Sequence, residues 1–206
     1  MTRKWNDIQW IFEPDGSLRD IYVQDISIRE WEKLIDHLNA NFNLRYSDTD
    51  QIDKEYALEY LRDKSGEMES KTLTIHLGQI QVNCFFFLSE QIEFDIDPKE
   101  VNSINDFEQI ESFMTSISDI LQEQVTLTEE NSPEFPLFKV DSNKGVNRIL
   151  IEKEANELSG TNSVINRLTS LKTRFKMKFF PKQFEKRLFE SASEEYRPTK
   201  KEKNVW

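Results

Sequence analysis

Three carboxylates, Glu93, Asp95 and Asp97, alternate along one stretch of this chain, and Lys99 follows two residues later. In an extended strand that spacing sends all three acids to one face. Clustered carboxylates followed by an acid-x-lysine pattern suit a metal-dependent nuclease or phosphoesterase, where the acids bind the ion and the lysine supports the attacking water. Two features oppose that chemistry. Pro98 occupies the intervening position, and the two preceding strands offer no Asp or Glu on the facing side. The plainer reading is a solvated outer strand face. The same face also carries Phe85 and Phe87, which a hairpin register sets against Asp95 and Glu93, with Asn83 against Asp97. Aromatic anchors ringed by acids that steer a basic partner make a protein-binding surface. The competing reading is that one of the chain's own helices, the basic one near the C-terminus, covers the two rings.

Other chemistries find little footing. The chain lacks a phosphate-binding glycine–lysine run, a dinucleotide fingerprint and a helical histidine pair flanking a glutamate. It holds two histidines, His37 on a helix and His76 on the outward side of a strand. Cys84 faces the opposite way from His76, so the two make a poor nucleophile–base pair, and a small buried hydrophobe is the better reading of the thiol. Asp48, Asp50 and Glu59 imitate a calcium loop, but Ile52 and Asp53 stand where a ligand and the turn glycine belong. Acids there fit a helix start instead. No cofactor is expected.

The elements that must position these residues follow from periodicity. Residues 73–77, 80–88 and 92–96 read as a three-stranded meander. A two-residue turn at 78–79 pairs Leu77 with Ile80, Ile75 with Val82 and Leu73 with Cys84. A three-residue turn at 89–91 pairs Leu88 with Ile92, Phe86 with Phe94 and Cys84 with Ile96, all apolar. Residues 8–12 and 19–23 flank a Pro-Asp-Gly-Ser turn and read as an opening β-hairpin. Ser27 and Glu30 form a capping box for a helix over 28–42, whose stripe is Ile28, Trp31, Leu34, Ile35 and Leu38. A shorter helix is expected over 53–62, and a long one over 103–124 with apolar residues from Ile104 to Leu121 at 3–4 spacing. Residues 125–128 and 137–140 are further strands, the second at a sheet edge. The fold class is therefore α+β: an antiparallel meander sheet with helices on one face, plus a C-terminal helical appendage.

Charge divides the chain. Residues 161–206 hold twelve Lys/Arg against five acids, a net +7, which leaves −18 on residues 1–160 of a chain whose total is −11. The expected organisation is an acidic α+β domain over 1–145, a basic helical extension over 146–193 and a disordered tail over 194–206. In the extension, 146–158 and 163–180 read as helices, and Pro181 opens another through 189. The acidic domain is not expected to bind nucleic acid. The basic segment, with Phe175, Phe179, Phe184 and Leu188 among its charges, has three destinations: an anionic membrane, nucleic acid, or the acidic domain itself. Docking on the chain's own acidic domain needs no outside partner. No run approaches the roughly 18 apolar residues of a membrane span, and residues 1–7 lack a signal-peptide stretch. One cysteine excludes an intramolecular disulfide. The expected location is cytoplasmic.

The stretches 84–87 (CFFF), 92–100 (IEFDIDPKE) and 126–134 (TLTEENSPE), with the Phe- and Met-bearing helix between them, resemble small uncharacterised bacterial proteins, loosely of the immunity-protein kind. Proteins of that kind neutralise a toxin by binding it. The resemblance covers about residues 8–140 and leaves the basic segment outside. It implies a bacterial, cytoplasmic protein acting by protein–protein contact. The expected function is thus non-enzymatic binding of a basic partner at Phe85, Phe87, Glu93, Asp95 and Asp97, with the Glu93/Asp95/Asp97/Lys99 nuclease or phosphoesterase as the alternative.

Overall fold

The computed structural model describes residues 4–133 and 136–149. Among these, eight antiparallel strands form one sheet: β1 (Arg19–Gln24), β2 (Asn43–Tyr46), β3 (Leu73–Leu77), β4 (Ile80–Leu88), β5 (Gln91–Ile96), β6 (Val125–Glu129), β7 (Pro136–Asp141) and β8 (Val146–Ile149). Their order is β2-β3-β4-β5-β1-β6-β7-β8. Helices α1 (Ile28–Asn41), α2 (Lys54–Arg62) and α3 (Ile104–Leu121) complete an α+β fold. The apolar strand residues Ile21, Val23, Ile75, Val82, Cys84, Ile92, Phe94 and Leu127 are fully buried in one core with Trp31, Leu34, Phe107 and Phe113 of the helices.

The helices begin where their caps dictate. Ser27 accepts from Arg29 N, and Glu30 returns a carboxylate to Ser27 N at 3.1 Å, the expected capping box. Replacing Ser27 by Ala should cost about 1 kcal/mol, read as a lower midpoint in urea unfolding. Asp53 accepts from Tyr56 N at 3.1 Å and so caps α2. Ser103 caps α3, whose C-terminus closes on Gln122 in a left-handed conformation (φ +60°). The acids of the false calcium loop thus include a true helix cap.

The first strand pair of the meander has the expected register, with Leu73 against Cys84, Ile75 against Val82 and Leu77 against Ile80. The second is displaced by two residues over Val82–Phe85 and by one at Leu88. Cys84 opposes Phe94, Phe85 opposes Glu93 and Asn83 opposes Asp95, with Leu88 against Gln91. The turn holds two residues, and a bulge between Phe85 and Leu88 absorbs the remainder. Over Val82–Phe85 the displacement is even, so those side chains keep their expected faces.

The opening hairpin does not form. Residues Trp5–Asp7 and Gln9–Phe12 make short 3-10 turns, and Ile8, Ile11 and Phe12 are the buried positions. That spacing is helical, whereas a strand would have buried 8, 10 and 12 together. β1 instead pairs with β5 and β6. Arg19, only 4% exposed, ties the turns to β1: its Nε donates to Ile11 O (2.7 Å), Nη1 to Leu18 O (3.1 Å) and Nη2 to Glu13 O (3.1 Å). Asp15 bridges the same guanidinium at 3.3 Å. Ser17 N and Arg19 hold the Asp15 carboxyl below its usual range.

At the other end, β7 is flanked by β6 and β8 and is not an edge. The helix expected to begin at 146 is a strand through Ile149, so the sheet runs four residues past the boundary placed at 145. Asp141 caps the connecting turn through Lys144 N (3.1 Å), and Gly145 takes φ +60°, which makes this segment a hairpin turn. The rest of the extension 146–193 and the tail 194–206 lie outside the described residues. No helix among the described residues is long and apolar enough to cross a membrane.

Candidate functional site

The site residues are positioned by the sheet's second face, away from the helices. On β5, Ile92, Phe94 and Ile96 enter the core, so alternation turns Glu93 and Asp95 outward. On β4, Phe85 and Phe87 are two residues apart, and their rings stack at 5.1 Å with only 7° between planes. Both rings are half-buried.

β1 adds what the sequence reading missed. Asp20 lies directly opposite Asp95, and Tyr22 opposite Glu93. Across the next pairing Asp20 meets Thr128 and Tyr22 meets Thr126. Two polar rows therefore cross the sheet: Thr74, Asn83, Asp95, Asp20, Thr128, and Phe85, Glu93, Tyr22, Thr126. The alternation Asp20-Ile-Tyr22 was visible in the sequence. The identity of the strand beside it was not.

This face is withdrawn from water. Exposure is 3% at Asp20, 4% at Asp95 and 8% at Glu93, which overturns the expectation of a solvated strand face. The carboxylate oxygens accept from neutral donors: Asp20 from Tyr22 OH and from Asn131 N (both 2.7 Å), Asp95 from Asn83 Nδ2 (3.0 Å), Glu93 from Gln91 Nε2 (3.1 Å). Thr74 Oγ1 in turn donates to Asn83 Oδ1 at 3.1 Å, which orients that amide. Such bonds orient and stabilise carboxylates. Directly opposed like charges on neighbouring strands repel, and burial sharpens the repulsion.

Asp97 lies past the end of β5. Its carboxylate caps a 3-10 turn, Pro98–Glu100, by accepting from Lys99 N at 2.9 Å. Lys99 Nζ stands 3.9 Å from the same side chain, and both are solvent-accessible. The structure thus joins Phe85, Phe87, Glu93 and Asp95 and leaves Asp97 and Lys99 at a separate turn. Among the described residues, no group of three or more His, Cys, Asp or Glu side chains is arranged to hold a metal ion.

Two further groups bear on chemistry. Cys84 is fully buried on the core side, and burial first, then the Glu93 and Asp95 charges, push its thiol well above the ordinary range. An inert structural thiol results. His37 approaches Ser116, with Nε2 to Oγ at 3.3 Å, a pairing the sequence did not suggest. The Asn41 amide nitrogen donates to His37 O (2.9 Å) and lies 3.1 Å from Nδ1. Nδ1 is therefore the acceptor and Nε2 carries the proton, while Ser116 donates to Phe113 O at 2.9 Å. A histidine in that tautomer cannot take a proton from the serine. Nearby, Phe42, Leu77, Gln109 and Phe113 line an open groove of about 360 Å³ that none of the predicted site residues enters.

Comparison with family models, with curated proteins and with solved structures finds no match for this chain.

Proposed function

We propose that the chain is a non-enzymatic protein-binding module of the immunity type, which holds a basic partner, a toxin in the leading case, on the outer face of its sheet. The observation that carries this reading is the stacked Phe85–Phe87 pair set against the carboxylates of Glu93 and Asp95. Half-buried aromatic rings supply apolar contact at small entropic cost. The adjacent carboxylates select Lys and Arg and speed encounter with a positively charged surface. Asp97, which caps the turn after β5 beside Lys99, lies outside this cluster. A bacterial cytoplasmic setting accords with the resemblance noted above and with a single buried thiol.

The test is a paired capture experiment with the full chain and its Phe85→Ser/Phe87→Ser variant as baits. The wild type should retain a discrete basic protein, and the variant should lose it by about thirtyfold or more in affinity. The thermal midpoint should remain unchanged. A collapsed midpoint in the variant would assign the two rings to the fold instead. Equal capture by both baits would remove this face from the binding site.

A further inference from the structure

On the helical side of the sheet, the open groove of about 360 Å³ lies between α3, the end of β3 and Phe42 just after α1. Its volume falls in the range of ligand-binding clefts. We propose that this groove binds an extended, basic segment of a partner protein, with one apolar side chain on its floor and a Lys or Arg at its rim. The groove is a surface distinct from the outer face of the sheet, and the inference does not rest on the function proposed for that face.

The walls are set by the fold. Asn105, Glu108, Gln109 and Ser112 line the groove, and their 3–4 spacing puts them on one stripe of α3. Among the described residues, none of these four side chains has a hydrogen-bonding or ionic partner. The floor is Phe113 and Leu77, which are 1% and 7% exposed. Phe42 closes the far side, held edge-on by Phe113 at 5.3 Å and by His37 at 5.6 Å. Gln109 is placed by the β3–β4 turn: a Cβ on Gly78 would stand 2.6 Å from its Oε1, so the amide lies against the turn backbone. A cleft so held needs little ordering when it is filled.

Three features choose the occupant. Asn105 and Gln109 carry carboxamides, each able both to donate and to accept. Four residues apart on a helix, they are separated by a rise of about 6 Å. An extended chain repeats its backbone groups on one side every two residues, at about 6.7 Å. Two carboxamides therefore match two peptide units. Charge comes next. Glu108 is the one ionisable side chain of the lining, and residues 1–160 carry −18. An acidic segment is repelled and a basic one drawn in. The floor then takes a single leucine- or phenylalanine-sized side chain as anchor. A small amine would meet Glu108 and the floor but leave the carboxamide pair unused.

The experiment titrates the full-length, nitrogen-15-labelled protein and follows its amide resonances. The probes are a blocked pentapeptide (lysine-leucine-lysine-leucine-lysine), the same peptide with glutamate for lysine, and phenethylamine. The basic peptide should give saturable shifts at Gly78, Gln109 and Ser112 with a Kd of about 1 mM or below. Asn105→Ala/Gln109→Ala should weaken it about tenfold, and Glu108→Gln about threefold, with the thermal midpoint unchanged. No saturation by about 10 mM, or equal binding by the carboxamide variant, would overturn the proposal. Equal binding of the acidic peptide would overturn the basic occupant, and equal binding of phenethylamine the extended one. Shifts confined to Phe85, Phe87 and Glu93 would put the peptide on the outer face and overturn the groove while leaving the outer-face reading intact.

Discussion

Replacing Arg19 by methionine is expected to lower the unfolding free energy by about 3 kcal/mol, the largest effect of any single polar substitution in the described fold. The guanidinium is 4% exposed and satisfies the carbonyls of Ile11, Leu18 and Glu13 together. Methionine keeps the length and most of the volume, so little is lost in packing. What remains is the buried Ile11 carbonyl without its donor, at about 1–3 kcal/mol, and the part-buried Leu18 and Glu13 carbonyls at less. The Asp15 partner matters less, because its carboxylate is 53% exposed and a solvated ion pair adds little. Urea unfolding followed by tryptophan fluorescence measures the loss, and Trp5 and Trp10 report directly on the turns that Arg19 holds. Arg19→Lys should recover only part of it, since an ammonium cannot reach three divergent carbonyls with a planar fork. A loss below about 1 kcal/mol for the methionine variant would show that the N-terminal turns stand without this clamp.

Phe113→Ala should cost about 3–5 kcal/mol. Phe113 is 1% exposed and makes edge contacts with Phe42 and with Phe94, each at 5.3 Å between centroids. It therefore joins α3 to the end of α1 and to the centre of the sheet. Truncation leaves a cavity that three separate elements would have to move to fill, and close-packed interiors relax only in part. Differential calorimetry should show a midpoint lowered by several degrees with the far-ultraviolet spectrum intact at low temperature. Phe113→Leu, which retains more of the volume, should lose markedly less. If both variants lose equally, the aromatic edge contacts outweigh the cavity in holding these elements together.

Local patterning reached far in this chain, and its failures share one cause. Ser27, Asp53 and Ser103 mark their helices because a cap is a contact within four residues. The β3–β4 register follows from strict alternation on both sides of a two-residue turn. The β4–β5 register slipped by two because Phe85, Phe86 and Phe87 are chemically alike and hide the bulge among them. β2 escaped notice since four residues with two apolar positions carry little signal. The site shows the same division. That Phe85, Phe87, Glu93 and Asp95 share a face was legible from alternation alone. The presence of Asp20 and Tyr22 among them depended on a strand some seventy residues earlier whose neighbours no local pattern names.

The place of β1 in the sheet has a consequence for how the molecule is assembled in time. It lies between β5 and β6, which are consequently parallel to each other, and α3 carries the chain from one to the other across it. The hairpins β3–β4–β5 and β6–β7–β8 can each nucleate from neighbouring residues, but they share no edge. They become one sheet only when the earliest strand is captured between them, over separations of about 70 and 105 residues. Such late, long-range capture is entropically slow. Until it occurs, β5 and β6 each present an open hydrogen-bonding edge. A second molecule's Arg19–Gln24 fits that gap as well as the chain's own, so crowded refolding favours exchange of this strand between copies.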